Sequence, residues 1–362
     1  MSNERSRVSV FRRVTSALVN ILIAAAVAWT TGEILLRLFR PQLTGPLQGE
    51  FDRDLGVLPK KNTVTWRAAP PFYTYSARHD SAGRRVVVHQ PERPDLAALF
   101  LGDSFTYGAG VSDEDTFSSV TQGILLNRGL KVRVINAGNP GIGTDFELRY
   151  WQLRGLREKP RIVDLFFFEN DFTDNRGGHF FDVLPDGSLR PKTLQESAFR
   201  RAVESVPAHD YLLSHSHVAA LLRSLPLILR VEPRLPNKND IPEPQPVPIA
   251  YQRLEQVYLS NLAQSVRDSG ACFHIFYVPS GKDIAYFRSR GKAAPDEAAL
   301  AEVCLSLGFS VTSFTPLIAG TGDRLETLYY GEGHWKPRTH ALVSPMIADS
   351  VQADVSEAAT GR

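Results

Sequence analysis

Three short stretches of this 362-residue chain place reactive or hydrogen-bonding side chains where apolar runs end. The first is Gly102-Asp103-Ser104, which directly follows the apolar run LAALFL at 96–101. A serine in a turn after a buried strand stands at the rim of a sheet, where a nucleophile can meet its substrate. The tripeptide alone is a weak signal, because chance produces it in roughly one chain of this size in ten. In isolation, a turn capped by its polar side chains is an equally good interpretation.

The second stretch is rich in glycine and the third carries an amide. NAGNPGIGT at 136–144 could bring backbone N–H groups to an anion, although a plain glycine-rich turn is the commoner reason for such a sequence. It lacks the G-x-G-x-x-G and Lys-Ser/Thr patterns of nucleotide sites. FFFENDF at 166–172 places Asn170 after an apolar run. The Asn170 amide could donate to a developing oxyanion or, as is more usual at such a position, cap a helix.

A serine nucleophile needs a general base, and the chain offers nine histidines. His334 lies in YGEGHWKP at 330–337, after the last predicted strand and before a C-terminal helix that begins near Pro337. Glu332, two residues before His334, could hold the second nitrogen of the imidazole. We therefore take His334 as the candidate base.

No metal and no organic cofactor are expected. Three other histidines cluster in HDYLLSHSH, but the only carboxylate beside them is Asp210, so a solvated helix face explains the cluster better than a metal site. Two cysteines are too few for a four-cysteine zinc site or a disulfide-built scaffold.

An alternation of strands and helices must position these residues. Apolar runs predict strands at 96–101, Val132–Asn136, Ile162–Phe168 and Cys272–Val278, with apolar residues at helical spacing between them. Strands buried on both faces and separated by helices indicate a three-layer α/β/α architecture with a mainly parallel sheet. The active site of such a sheet lies beyond the carboxyl ends of its strands, which is where the three stretches fall.

Taken in order, Gly102-Asp103-Ser104, Gly141, Asn170-Asp171 and His334 resemble the four sequence blocks of the SGNH/GDSL hydrolase superfamily, over roughly 96–349. The resemblance implies a flavodoxin-like SGNH hydrolase fold and a serine esterase. In that scheme Ser104 is the nucleophile, His334 is the general base and Glu332 replaces the usual aspartate. The oxyanion hole is expected to comprise the N–H groups of Ser104 and Gly141 and the Asn170 amide, with Asp103 and Asp171 as structural support.

Two positions depart from the family pattern. The third block usually opens with glycine, but Phe168 stands there in this chain. The last block commonly has an aspartate three residues before the histidine, and that residue here is Gly331. Glu332 lies two residues before His334, one residue closer than the usual aspartate, and its side chain is longer by one methylene.

The N-terminus has a different character from the rest of the chain. Basic and acidic residues balance overall, 41 Lys+Arg against 39 Asp+Glu, which argues against a nucleic-acid binder. Four arginines within 1–13 nevertheless precede 18 uncharged residues at 14–31. About 20 residues cross a bilayer, so 14–36 is predicted to be an uncleaved transmembrane signal-anchor. The arginines place the N-terminus in the cytoplasm and the catalytic domain in the periplasm or outside the cell.

Two alternatives to the anchor remain open. The small residues at 24–28 fit a signal-peptide cleavage pattern, and a buried helix of a soluble protein is also conceivable. With the anchor, the chain divides into a basic cytoplasmic N-terminus (1–13), the anchor (14–36), a linker and edge segment (37–95), an SGNH hydrolase-like domain (96–350) with an insertion (175–250), and a flexible tail (351–362).

The predicted function is hydrolysis of an acyl ester, with acetyl favoured, on a glycan or lipid outside the cytoplasm. EGHW at 332–335 resembles SGNH domains that handle acetyl groups on polysaccharides. One alternative is therefore an O-acyltransferase that modifies an envelope polysaccharide with acyl groups from a membrane donor protein. The departures at Phe168 and Glu332 motivate a second alternative, a non-catalytic glycan-binding protein. The inner membrane is an expected partner through the N-terminal helix, and nucleic acid is not.

Overall fold

A computed structural model describes residues 2–42, 44, 49–69, 72–177, 180–205, 209–228 and 245–360. The helices, in chain order, are α1 (Ser2–Phe39), α2 (Ser104–Tyr107), α3 (Phe117–Asn127), α4 (Thr144–Leu153), α5 (Asp171–Asp174), α6 (Ala198–Glu204), α7 (His209–His215), α8 (His217–Ile228), α9 (Ile249–Asp268), α10 (Gly281–Arg290), α11 (Pro295–Ser306), α12 (Thr315–Gly320), α13 (Leu325–Leu328) and α14 (Pro337–Thr360). Two short 3-10 turns lie at Gly155–Glu158 and Asn175–Gly177.

The strands, in chain order, are β1 (Gly49–Asp52), β2 (Gly56–Pro59), β3 (Val64–Ala69), β4 (Tyr73–Arg78), β5 (Leu96–Gly102), β6 (Val132–Asn136), β7 (Ile162–Phe168), β8 (Phe181–Val183), β9 (Leu189–Pro191), β10 (Cys272–Val278) and β11 (Val311–Ser313). The chain forms two compact units. One combines Met1–Leu47 with Ala198–Arg230, and the other combines Gln48–Ser197 with Val231–Arg362.

The smaller unit consists of α1 and the helices α6, α7 and α8. Within α1, the segment Arg13–Phe39 is long and apolar enough to cross a membrane, by length and composition. Near its end, Glu33 caps the start of α8. The Glu33 carboxylate accepts three hydrogen bonds of 2.9–3.1 Å, from Ser216 Oγ, His217 N and Val218 N. An acid at a helix N-terminus satisfies unpaired N–H groups, so this contact ties α8 to α1.

The larger unit is built on a five-stranded parallel sheet with the spatial order β11-β10-β7-β5-β6. When these five strands are numbered along the chain, the order is 2-1-3-4-5, which is the flavodoxin-like order. The predicted strands Val132–Asn136, Ile162–Phe168 and Cys272–Val278 coincide with β6, β7 and β10. β11 has only three residues, too few for periodicity to reveal it.

Helices cover both faces of this sheet. Along β7, Val163, Leu165 and Phe167 point into a core shared with α4, α9 and α11, whereas Phe166 and Phe168 point into a second core shared with α3, α12 and α14. This alternation follows from the two-residue period of a strand. The three-layer α/β/α architecture predicted from the sequence is confirmed.

The segment 37–95 contains more structure than the predicted linker with edge strands. Its strands form two antiparallel hairpins, β1–β2 and β3–β4, each a separate two-stranded sheet. The insertion 175–250 holds β8, β9 and α6 to α8, while 178–179, 206–208 and 229–244 lie outside the described residues.

The predicted flexible tail needs correction over 351–360. Helix α14 continues to Thr360, Val351 is fully buried, and Asp354 bonds His274 at 2.8 Å. Ile347, Val351 and Val355 keep a four-residue spacing, which maintains an apolar stripe on the second core. Residues 361–362 lie outside the described part of the chain.

Candidate active site

Ser104 lies at the junction between a buried strand and a short helix. Strand β5 ends at Gly102, and α2 begins at Ser104 itself. Asp103 caps this helix: its buried carboxylate accepts a 2.8 Å hydrogen bond from the N–H of Phe105. Burial raises the pKa of Asp103 to about 6, while the Phe105 N–H and the charge of His334 lower it. The cap fixes the turn that presents Ser104 at the rim of the sheet.

A buried arginine from the segment before β5 holds the loop that follows α2. The Arg85 guanidinium donates to the carbonyls of Tyr107 (3.0 Å), Gly108 and Val111 (2.6 Å), and it pairs with the Asp113 carboxylate at 2.9 Å. A fully buried guanidinium is stable only when its donors are satisfied, and these contacts satisfy them. The sequence reasoning missed Arg85, because a basic residue in a polar segment carries no signal of burial.

Ser104, His334 and Glu332 form a continuous hydrogen-bonded relay. Ser104 Oγ lies 2.8 Å from His334 Nε2, and His334 Nδ1 lies 2.7 Å from Glu332 Oε2. Glu332 Oε2 also accepts a 3.2 Å bond from the backbone N–H of His334. The His334 side chain is 24% exposed and that of Glu332 is 9% exposed, so solvent and substrate can reach the imidazole while the carboxylate is shielded. The structure thus joins two residues that are 230 positions apart.

Aromatic rings pack against the His334 imidazole. The Phe105 ring centroid lies 5.1 Å from that of His334 and 5.4 Å from that of Trp335. Trp335 is fully buried and its indole Nε1 donates to the carbonyl of Pro279 at 3.3 Å. Trp335 therefore belongs to the core and is not available to stack on a sugar. Phe168, which stands where the family pattern has glycine, packs its ring 4.4 Å from that of Phe105 and fills the space beneath α2.

Gly141 presents an open backbone amide beside this rim. Its φ of +77° lies in the left-handed region that favours glycine, and a Cβ there would meet no atom within 4 Å. The loop is held against the end of β5 by a 3.0 Å bond from Asn139 N to Gly102 O. Within the part of the chain that the structure describes, the Gly141 N–H has no hydrogen-bond partner. It can therefore donate to a ligand.

Asn170 follows β7, the strand next to β5, and precedes α5. It makes no side-chain cap bond to that helix. Its Nδ2 donates to Asp174 Oδ2 at 2.8 Å, which orients the amide and leaves its second hydrogen for another acceptor. The neighbouring Asp171 accepts a 3.1 Å bond from Phe168 N, which braces the loop. Burial, together with the charges of Glu147 and Asp103, raises the pKa of Asp171 well above its usual range.

A pocket of about 320 Å³ opens next to Gly141. Hairpin β1–β2, the glycine-rich loop and the start of the insertion contribute apolar side chains to its wall: Leu55, Val57, Ile142, Phe180 and Leu194. Asn139, Asp145 and Asp174 add polar groups. The pocket is large enough for a small organic group, and Gly141 lies in its wall, whereas Ser104, His334 and Asn170 are not among its lining residues.

One group of carboxylates among the described residues is close enough to hold a cation: oxygen atoms of Glu169, Asp283 and Asp296 lie within 4.8 Å of one another. Burial raises the pKa of Glu169 to about 7 and that of Asp283 to about 6. Asp283 already accepts bonds from Ser280 N (2.8 Å) and Tyr277 OH (3.0 Å) in the capping box of α10. Helix capping accounts for Asp283 without a metal ion.

No family model matches the sequence, and no curated protein matches it. Solved structures do resemble the fold. A psychrotrophic esterase, EstA, from Pseudoalteromonas sp. is 11% identical with a TM-score of 0.39, over 74% of this chain and 100% of that one. The lipase/acylhydrolase from Enterococcus faecalis is 14% identical with a TM-score of 0.41, over 71% and 96%.

A two-domain esterase, CEX, described as active on acetylated mannans, is 12% identical with a TM-score of 0.40, over 72% of this chain and 50% of that one. At these identities and scores the likenesses carry no argument about activity or substrate, which must rest on the geometry above.

Proposed function

We propose that this chain is a serine esterase of the SGNH/GDSL type, which hydrolyses an acyl ester through Ser104, His334 and Glu332. The observation that carries the proposal is the relay itself, with 2.8 Å between Ser104 Oγ and His334 Nε2 and 2.7 Å between His334 Nδ1 and Glu332 Oε2. A base within hydrogen-bond reach of a hydroxyl, and itself oriented by a third group, is the arrangement that activates a serine.

In the first step Ser104 Oγ attacks the ester carbonyl and passes its proton to His334 Nε2. The imidazole becomes an imidazolium, which the adjacent Glu332 carboxylate stabilises through the Nδ1–H bond. The carbonyl oxygen acquires negative charge. The Gly141 N–H, the second hydrogen of the Asn170 amide and the N–H of Ser104 are the donors proposed for this oxyanion, and a donor of this kind typically accounts for about 10²–10³ in rate.

Collapse of the tetrahedral intermediate breaks the bond between the carbonyl carbon and the alcohol oxygen. The alcohol leaves with the proton from His334, and an acyl group stays on Ser104. Water then gives a proton to His334 and attacks the acyl carbon. The bond between the acyl carbon and Ser104 Oγ breaks, and His334 returns the proton to Oγ, which releases the acid and restores the serine.

The proposed substrate is an acyl ester of a glycan or lipid at the outer face of the inner membrane, and acetyl is the favoured acyl group. Support comes from the apolar segment Arg13–Phe39 and the arginines that precede it, which favour a membrane anchor with the catalytic unit outside the cytoplasm. The pocket beside Gly141 combines apolar side chains with Asn139, Asp145 and Asp174, which suits a substrate without negative charge.

The test is hydrolysis of a short-chain aryl ester by the full-length protein in detergent. We expect turnover that Ser104→Ala and His334→Ala each reduce by at least 10³-fold, because each removes a member of the relay. Ser188→Ala is the matched control, since Ser188 lies in an exposed turn and its hydroxyl donates to the Asp186 carboxylate at 2.7 Å, away from the relay. Turnover that persists in Ser104→Ala would exclude the proposal.

Product analysis separates hydrolysis from transfer. An acyl donor is supplied together with an oligosaccharide, and the Ser104→Ala variant serves as the blank. Free acid as the main product supports the esterase, whereas acylated sugar formed faster than free acid would identify an O-acyltransferase. Glycan binding without Ser104-dependent turnover would identify a binding protein.

A further inference from the structure

The two oxygens of the Glu332 carboxylate have different environments. Oε2 accepts bonds from His334 Nδ1 and from the His334 backbone N–H. Oε1 is buried, and among the described residues no donor satisfies it with normal hydrogen-bond geometry. A buried carboxylate oxygen without a donor is costly, and a glutamate has one more rotatable bond to immobilise than an aspartate. The two bonds to Oε2 hold the side chain at one oxygen only, and a donor to Oε1 would remove the cost of its burial.

Hairpin β3–β4 packs against the loop that carries Glu332. Phe72, just before β4, covers Gly331 so closely that a Cβ at Gly331 would overlap its ring. The next residue, Tyr73, sets its ring edge-on to Tyr330 and to His334, with centroid distances of 4.9 Å and 6.4 Å. The hairpin thus closes the side of the relay on which Glu332 lies.

We propose that Tyr73 is a positioning residue that holds the Glu332 carboxylate through its hydroxyl, so that hairpin β3–β4 completes the acid side of the relay. The inference rests on the proposed esterase function and deepens it. The contact also explains how a glutamate two residues before His334 can orient the imidazole. A second hydrogen bond to the carboxylate would restrict the rotation that the extra methylene of glutamate allows.

The protonation of Tyr73 supports this role. Burial raises the pKa of Tyr73 well above its usual range, and the negative charge of the nearby Glu332 raises it further. The hydroxyl therefore stays protonated and can donate throughout the working pH range. A donor on the carboxylate favours its ionised form, which must persist while His334 carries the extra proton.

The first experiment compares Tyr73→Phe with Tyr330→Phe in the full-length protein. Both variants keep their rings, but the Tyr330 hydroxyl donates to the Gly110 carbonyl at 3.1 Å and not to Glu332. We expect Tyr73→Phe to lower kcat about tenfold and to move the acid limb of kcat/KM to higher pH, since loss of the donor makes Glu332, and through it His334, more basic. Tyr330→Phe should leave the acid limb in place.

A double-variant cycle tests whether Tyr73 acts through Glu332. If it does, Tyr73→Phe should cost little further in a Glu332→Gln background. An equal loss in both backgrounds, or a Tyr73→Phe profile like that of Tyr330→Phe, would overturn the positioning role alone. Absence of Ser104-dependent hydrolysis in the wild-type protein would overturn the proposed function, and the positioning role with it.

Discussion

The most informative change at this site is to shorten the side chain of Glu332, the acid of the relay. In Glu332→Asp the carboxylate keeps its charge but withdraws by one C–C bond, about 1.5 Å. The present Oε2 to Nδ1 distance is 2.7 Å, so the gap would open to about 4 Å, beyond hydrogen-bond range. The backbone cannot readily follow, because Gly331 lies against the Phe72 ring.

The expected loss follows from the bond that disappears. A hydrogen bond to a charged group contributes about 1.5–3 kcal/mol, which corresponds to about 10- to 100-fold in kcat. If the relay needed only a carboxylate at position 332, whatever its reach, kcat would instead be unchanged in Glu332→Asp. The two expectations are therefore well separated.

The assay measures kcat with a saturating aryl ester. The pH is set well above the acid limb of the activity profile, so that protonation of His334 does not contribute to the difference. Thermal unfolding of the same samples controls for stability, and Ser188→Ala controls for handling. A Glu332→Asp variant within twofold of wild type would refute the geometric reasoning. So would recovery of full activity in Gly331→Asp combined with Glu332→Gly, because Phe72 should leave no room for a side chain at position 331.

Three further outcomes are expected. Asn170→Ala should lower kcat about 10²–10³-fold with little change in KM, measured in steady state; an unchanged kcat would remove the amide from the oxyanion hole. Burial raises the pKa of Asp164 from 3.8 to about 7. Between about pH 4 and 7 the folded protein therefore keeps a proton on Asp164 that the unfolded chain has lost. The free energy of unfolding is expected to fall as pH rises through this range, by up to ~4 kcal/mol. Asp164→Asn should flatten that fall in unfolding curves at pH 5 and pH 7.5, and an unchanged slope would contradict the assignment. A periplasm-active reporter fused after Pro41 should be active, and an inactive fusion would overturn the proposed topology.

Much of the sheet could be predicted, because its strands are buried on both faces and therefore read as uninterrupted apolar runs. Strands such as Ile162–Phe168 agree residue for residue. Ser104 was identifiable because it lies in a turn after a strand, and His334 because it lies in a glycine-containing turn just before the C-terminal helix. The hairpins of 49–78 were not, since their strands are four to six residues long and lie in polar surroundings. The continuation of α14 through 351–360 was missed because only packing shows that Val351 is a core residue.

The sequence by itself determined the class of the fold, the types of the reacting groups and their order along the chain. Those properties follow from local periodicity and from turn chemistry, which need only neighbouring residues. Only the tertiary structure decided that Ser104 and His334 meet at 2.8 Å, and that Glu332 bonds His334 Nδ1. It alone brought Tyr73 and Phe72 beside that acid. Contacts across more than 200 residues depend on how the whole sheet and its covering segments pack, and no local pattern encodes them.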